Sequence, residues 1–466
     1  MKLMALSALV VKAYPLVTVP LFLYFFTKEE FGSLDYAYYA MSLGCVLLTF
    51  GINNGYARYA LDSTIDDDLK AKKFSYYLFS SVLIAAISVI SLLIIKLLWF
   101  NLQQWIPTIL LAYPSLLVFY IVSGALAHTV LTAERFSLNA KSLIIATLII
   151  YMLPLFAVVI AYIALENISI YIVLIFNVIF NVFSFVVGFC RAYTRINANQ
   201  IFKLCRRYII FSTPLLFVLV SEALINLSGR LFLTKLYPSG LGDFAIASRV
   251  ASVLLIFNFI ISFMFHPIYF RDKDKASFVS FWRSLYSLFF IVYCFAIIII
   301  PIVINLSLPH FDNLHNSKII FSIILMLGAN LLTGLQMFHL GMHAKEKSAV
   351  IGLIYSVGVL IAFFLNLILI NRFQLVGAGL ALFTTMLLIT APYIYYSNKV
   401  SENKLKTNCY AKISIAIALA YVLLYIRGEG SVNAIPVVIF LLLIVVTFTT
   451  AIKSSLRFYN EANSKF

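Results

Sequence analysis

Fourteen apolar stretches follow one another along this chain of 466 residues, separated by short polar loops. A helix rises about 1.5 Å per residue, so roughly 20 apolar residues cross a hydrocarbon core of about 30 Å. No water is available there to satisfy backbone groups, which makes helices the expected spanning structure. With 63% hydrophobic residues, 11% charged residues and a mean hydropathy of +1.01, the chain is predicted to be an all-α polytopic membrane protein.

The apolar stretches define about 14 transmembrane helices, of which the thirteenth is the shortest. The predicted spans are 3–26, 36–57, 76–98, 106–130, 142–165, 168–190, 209–233, 243–265, 285–306, 319–340, 349–370, 376–396, 413–426 and 434–452.

The basic residues are sorted onto one side of these spans. If the amino terminus and every second loop are assigned to the cytoplasm, those segments hold 25 of the 34 Lys and Arg residues. A bias of this size sets membrane topology, so both termini are expected to be cytoplasmic. The net charge of +16 is therefore mainly a topology signal. No basic stretch interleaved with aromatic residues indicates nucleic-acid binding.

The sequence lacks the motifs that nucleotide hydrolysis and metal binding usually require. The sequence has no GxxxxGK[ST] phosphate-binding loop and no CxxC pair among its five cysteines, so neither ATP hydrolysis nor a zinc site is expected. The run Asp66-Asp67-Asp68 is interpreted as a solvated cytoplasmic loop rather than a Mg²⁺ site. No cofactor or metal is predicted.

Ionisable residues within or at the ends of spans are functional candidates, because each costs about 2.5–3.5 kcal/mol to insert, and five are singled out here. The cations are Lys12, Arg58, Arg230 and Arg249, and the carboxylate is Glu222. A cavity lined by these cations would suit an anionic substrate, because one cation 4 Å from a phosphate charge gains about 4 kcal/mol at an effective dielectric of 20. Glu222 is a candidate for ion coupling.

Each of these residues also has a simpler interpretation. Arg58 can anchor its helix under the positive-inside rule, and Lys12 can extend to the cytoplasmic surface. Glu222 and Arg230, eight residues apart on one helical face, can pair and fix helix register. Arg249 is expected on the outer side, where the rule does not favour a basic residue. The histidines His128, His266 and His339 are expected to be hydrogen-bonded packing residues.

Several motifs resemble polysaccharide flippases of the Wzx type, in the multidrug/oligosaccharide exporter superfamily. The first hairpin contains FTKEEFG at 26–32, and the second span closes with FGINNGYARY at 50–59. Further matches are STP at 212–214, LGDFAIA at 241–247, Arg249, the pair His266-Pro267, and LVGAGLA at 375–381. The hairpins around Phe31-Gly32 and Leu241-Gly242 also resemble each other, as in transporters built from two repeats.

The resemblance implies two pseudo-symmetric six-helix bundles, at 1–205 and 206–400, with two peripheral helices and a cytoplasmic tail at 401–466. It implies a bacterial inner-membrane flippase that moves an undecaprenyl-diphosphate-linked oligosaccharide, such as an O-antigen repeat unit of lipopolysaccharide, by alternating access. The cationic residues would bind the diphosphate. The implied partners are this lipid-linked glycan, the bilayer, a polysaccharide polymerase and a chain-length regulator.

Three alternatives remain open from the sequence. A drug or small-cation exporter of the same fold would favour carboxylates in the cavity, and Glu222 is the only candidate there. A membrane polymerase or glycosyltransferase usually needs a sizeable outer loop, which the short loops do not provide. A non-catalytic scaffold for sugar assembly is the third.

Overall fold

In a computed structural model the described residues are helical, joined by short turns. The structure describes residues 2–59, 69–137, 139–165, 168–194, 198–252, 255, 258, 317–339, 342 and 347–400. The ninth, thirteenth and fourteenth predicted spans, most of the eighth, His266, the Asp66–Asp68 run and the domain at 401–466 lie outside the described residues.

The helices are numbered here in chain order. They are α1 (Lys2–Phe25), α2 (Lys28–Leu48), α3 (Ile52–Tyr59), α4 (Leu69–Leu102), α5 (Thr108–Leu111), α6 (Pro114–Phe136), α7 (Ala140–Thr147), α8 (Leu153–Leu165), α9 (Ile170–Ala192), α10 (Ala198–Leu236), α11 (Leu241–Ala251), α12 (Ser317–Phe338) and α13 (Ser348–Val400). Seven helical segments among the described residues are long and apolar enough to cross a membrane. The predicted all-α, multi-span class is confirmed.

The second predicted span begins earlier than its apolar stretch and is bent. Thr27 caps α2 with a capping box, since its hydroxyl accepts from the Glu30 N–H and its own N–H donates to the Glu30 carboxylate. The helix therefore starts at Lys28. It ends at Leu48, and positive φ angles at Phe50 (50°) and Gly51 (64°) redirect the chain into α3. Glycine accepts such a φ without steric cost, which allows the bend within the span.

The fifth predicted span is continuous but contains a π-helical turn at Leu148–Met152 between α7 and α8. Pro154 follows this turn. Its ring lacks an N–H and crowds the carbonyl four residues earlier, at Ile150. A π turn is a known way for a helix to absorb such a local mismatch.

Two compact units can be distinguished. The first contains Met1–Ala245 together with Tyr355–Phe363, and the second contains the described residues within Ile246–Ile354 and Phe364–Phe466. The core of the first unit includes four fully buried tyrosines from three helices. They are Tyr56 of α3, Tyr76 and Tyr77 of α4, and Tyr208 of α10. The predicted division into domains 1–205 and 206–400 stays a prediction.

In the second unit α12 packs against the later part of α13. The Gln336 amide donates to the Thr390 hydroxyl at 2.7 Å, and the Ser397 hydroxyl donates to the His339 carbonyl. Helix α13 is interrupted at Gln374, whose φ of 52° and ψ of −123° are not helical. This break separates the predicted eleventh and twelfth spans, which are therefore both present.

Candidate functional site

The five ionisable residues predicted from the sequence lie on four helices. Lys12 is on α1, Arg58 on α3, Glu222 and Arg230 on α10, and Arg249 on α11. The structure describes the helical backbone at Lys12 and Arg58 but not their side chains. The other three differ in environment, because Arg230 and Arg249 are buried and Glu222 is exposed.

Arg230 is held by an ion pair that the sequence did not indicate. Its Nε donates to Oδ2 of Asp35 on α2 at 2.7 Å, and its Nη1 donates to the Asn226 carbonyl at 2.8 Å. The guanidinium also lies 3.4 Å from the centre of the Tyr39 ring and 5.1 Å from that of Phe244. The two charged side chains are 3% and 1% exposed, so each needs the other to offset desolvation.

The ends of α2 and α11 meet close to this ion pair. A Cβ on Gly32 would lie 2.7 Å from the Gly242 nitrogen, and one on Gly242 would overlap the Lys28 carbonyl oxygen. Only glycine allows this approach of two backbones. At the same end Lys28 Nζ lies 3.1 Å from Asp243 Oδ1. The two hairpins that resemble each other in sequence are therefore in direct contact, which we call the hairpin contact.

Arg249 lies in the last turn of α11 and its side chain is almost fully buried, at 8% exposure. Its backbone carbonyl accepts a hydrogen bond from the Ser252 hydroxyl at 2.6 Å. The position at the carboxyl end of α11, with Asp243 in the first turn, complements the helix dipole. A buried arginine in a membrane segment is a candidate functional residue by its insertion cost.

Glu222 occupies a different face of α10 from the apolar residues that the helix exposes. Those residues are Phe202, Ile210 and Phe217. At 100° per residue Glu222 lies about 120–160° around the helix from each of them. Asn226 follows on the Glu222 side and donates to the Glu222 carbonyl at 3.0 Å. A charged residue at bilayer depth is expected to face protein or water rather than lipid.

The α3 segment packs against the part of α10 that precedes Glu222. The Gly55 N–H donates to the Ser212 hydroxyl at 2.9 Å, and a Cβ on Gly55 would lie 2.6 Å from the Tyr208 Cα. The bend at Gly51 lies against Leu216 and Leu219 of α10. Asn53, between these two contacts, is therefore about two helical turns from the level of Glu222.

A second buried ion pair joins α4 to α6. Lys73 Nζ lies 2.7 Å from Glu134 Oε1, and the side chains are 13% and 3% exposed. The second carboxylate oxygen has no hydrogen-bond partner among the described residues, and the same is true of the hydroxyls of the neighbouring Tyr56 and Tyr77. The sequence indicated Glu222 as the one buried carboxylate, and among the described residues this is wrong. Asp35 and Glu134 are the buried ones, and Glu222 is exposed.

Both missed carboxylates lie in helical turns beyond an apolar stretch. Asp35 precedes the predicted span at 36–57, and Glu134 follows the one at 106–130, yet α2 and α6 continue through them. The capping box at Thr27 and Glu30 was the signal that could have revealed Asp35. No comparable local signal marks Glu134.

Of the predicted packing histidines, His339 is buried and its Nδ1 lies 3.2 Å from the Asn398 side-chain oxygen. His128 is instead exposed and bonded to Asn53 at 2.6 Å. Within the described ranges, no three His, Cys, Asp or Glu residues are grouped as metal ligands would be.

These features define a multi-span α-helical membrane protein with buried ion pairs and a polar face on α10 near mid-span. No protein-family model matches the chain, and no curated protein matches it either. Among solved structures, the chain is similar to "Lipid II flippase MurJ, inward closed conformation", with a TM-score of 0.54 and 11% identity. The match covers 93% of this chain and 97% of that one, so the fold is shared over nearly the whole length.

Proposed function

We propose that this protein is a flippase of the bacterial inner membrane, which moves an undecaprenyl-diphosphate-linked oligosaccharide such as an O-antigen repeat unit by alternating access. The shared fold with a lipid II flippase is the observation that carries the proposal. The Wzx-like motifs of the sequence direct it towards a polysaccharide precursor. No covalent bond is made or broken in such a cycle.

The polar face at mid-depth is the region where a hydrophilic headgroup would be carried. Glu222 and Asn226 lie there, on the side of α10 away from its exposed apolar residues, and Asn53 of α3 lies about two helical turns away. Transporters commonly bind substrate near the bilayer midplane between helices of two repeats. We assign Lys12, Arg58, Arg230 and Arg249 to diphosphate binding. Arg230 would then need to leave Asp35 at one stage of the cycle.

In the proposed cycle, the hairpin contact closes one side of the substrate pathway. The positive-inside bias assigns Lys28 and Lys235 to outer loops, so this contact would close the periplasmic side. Its parts are the Gly32–Gly242 approach, the Lys28–Asp243 ion pair and the buried Arg230–Asp35 ion pair. Release of the substrate outward would then require α2 and α11 to separate.

The direct test is transport by the purified full-length protein in vesicles. Lipid-linked oligosaccharide extracted from the source bacterium would be placed in both leaflets, and a membrane-impermeant glycosidase added outside would report how much becomes accessible. We expect accessibility to rise from about half to nearly all within minutes in vesicles with the protein, and to stay near half in protein-free vesicles. Equal accessibility in both preparations would reject the flippase proposal.

Cross-linking tests whether the hairpin contact must open during transport. Lys28→Cys combined with Asp243→Cys should form a disulfide under oxidant, because the backbone at Gly242, next to Asp243, lies directly against Lys28. Flipping should stop when the bond forms and recover on reduction. Each single cysteine variant, treated with the same oxidant, is the matched control and should flip normally. Undiminished flipping by the cross-linked protein would show that the hairpin contact does not open during transport.

A further inference from the structure

His128 is part of a chain of three side chains from three helices. The Tyr76 hydroxyl of α4 donates to Oδ1 of Asn53 on α3 at 2.5 Å. The Asn53 amide nitrogen lies 2.6 Å from His128 Nδ1 on α6. Tyr76 is fully buried, Asn53 is half-buried and His128 is exposed, so the chain runs from the protein core to an open surface.

This chain fixes the tautomer of the His128 ring. Tyr76 uses its proton on the Asn53 carbonyl oxygen, which leaves the Asn53 amide as a donor towards His128. Nδ1 must then accept, and the proton of the neutral ring is on Nε2. Nε2 has no hydrogen-bond partner among the described residues, so the ring presents one oriented N–H donor at the exposed surface.

The exposed surface of His128 is not the lipid-facing side of α6. That helix exposes Phe119 at 63%, and His128 follows nine residues later. Nine residues correspond to about 2.5 turns, which places the two side chains on opposite faces. His128 is also only three residues, or about 4.5 Å, from the middle of the 23-residue α6. A polar ring at this depth, directed away from lipid, faces a water-accessible interior.

We propose that His128 binds the glycan of the carried lipid, donating from Nε2 to a hydroxyl or N-acetyl oxygen of a sugar. The inference rests on the proposed function and specifies its substrate contacts. A neutral donor with a fixed orientation suits an uncharged sugar oxygen, whereas the diphosphate calls for cations. Asn53 and Tyr76 act as positioning residues, since they hold the ring from its Nδ1 side and do not contact the sugar at Nε2.

The experiment compares the binding of two probes by the purified full-length protein in detergent. The probes are the lipid-linked oligosaccharide extracted from the source bacterium and undecaprenyl diphosphate without sugar. His128→Ala should weaken binding of the oligosaccharide lipid roughly 2- to 13-fold, the range for one neutral hydrogen bond, and leave binding of the sugar-free lipid unchanged. His128→Gln, which keeps an amide donor, should recover most of the loss. Asn53→Ala should show a smaller loss with the same selectivity.

Phe119→Ala is the matched control, because it truncates an exposed side chain on the opposite face of the same helix and should bind both probes as the wild type does. If His128→Ala binds both probes normally, or weakens both equally, the inference is wrong and the flippase proposal is unaffected. If wild-type protein binds neither probe, the proposed function fails and this inference fails with it.

Discussion

Asp35 of α2 accepts a hydrogen bond from Arg230 of α10 at 2.7 Å, and both side chains are almost completely buried. The two residues are 195 positions apart in the chain, in two hairpins that resemble each other. The ion pair therefore joins the helix that follows the turn of the first hairpin to the helix that precedes the turn of the second. Its burial makes it costly to break unless both charges move together into water or onto a substrate.

Removing one partner of this ion pair should destabilise the protein more than removing both. Asp35→Ala leaves an uncompensated guanidinium, with an expected cost of about 3–5 kcal/mol. We expect low membrane abundance and a reduced melting temperature in detergent. The double variant Asp35→Leu with Arg230→Met should recover much of the loss. A double variant that is no more stable than Asp35→Ala would contradict a purely electrostatic cost.

The Lys73–Glu134 ion pair gives a second prediction in the same unit. Glu134→Gln removes the charge that neutralises Lys73 while keeping a similar volume, so a lower melting temperature is expected. Lys73→Met in the same protein should restore part of it. Lys70→Met, which removes an exposed lysine of the same helix, is the control and should have little effect. The measurement is thermal unfolding of the detergent-purified variants.

The positions of the helices follow closely from the apolar stretches. The predicted span at 319–340 corresponds to α12 at Ser317–Phe338, and the one at 168–190 to α9 at Ile170–Ala192. Twenty consecutive apolar residues leave little choice of structure in a bilayer. The bend at Phe50 and Gly51 was not predicted, because positive φ angles depend on packing against α10 as well as on the glycine.

The charged residues of the site were less predictable than the helices. The apolar stretch at 76–98 begins after Lys73 and the one at 106–130 ends before Glu134, while the helices extend over both residues and place their side chains against each other. Burial of an ion pair depends on which helices pack against each other, and helix neighbours cannot be deduced from a single sequence. The exposure of Glu222 and His128 was missed for the same reason.

The predicted topology has fourteen spans and places both termini in the cytoplasm. Reporter fusions after Asn313 and after Lys404, which lie outside the described residues, should report periplasm and cytoplasm respectively. The reason is the sorting of basic residues onto alternate loops. Reporters on the same side for both fusions would exclude the fourteen-span arrangement with cytoplasmic termini.

Glu222 is predicted to affect transport rather than stability. Because its side chain is exposed, Glu222→Gln leaves no newly buried charge, and membrane abundance should match the wild type. If Glu222 carries the coupling ion, the variant should flip more slowly and lose part of the pH dependence of flipping. The vesicle assay at pH 6, 7 and 8 measures both effects. Wild-type flipping at each pH would remove Glu222 from the coupling mechanism.

Arg249 is the cation on which the proposed binding of a diphosphate depends most. The diphosphate brings about two negative charges into a site where each needs a partner or water. Arginine offers a planar set of donors that fits phosphate oxygens, whereas lysine offers a point charge. Losing one hydrogen bond to a charged group corresponds to a roughly ten- to 150-fold weaker interaction. Arg249→Ala should therefore reduce flipping by that factor, and Arg249→Lys should be intermediate.

The matched control for Arg249→Ala is Arg372→Ala, because Arg372 is exposed beside the turn at Gln374 and lies in a predicted outer loop. It should flip at the wild-type rate. Membrane abundance must be measured for both variants, since Arg249 is almost fully buried and its removal can also disturb packing around α11. A folded Arg249→Ala protein that binds undecaprenyl diphosphate as tightly as the wild type would show that this arginine supports the fold and that the diphosphate is held by other residues.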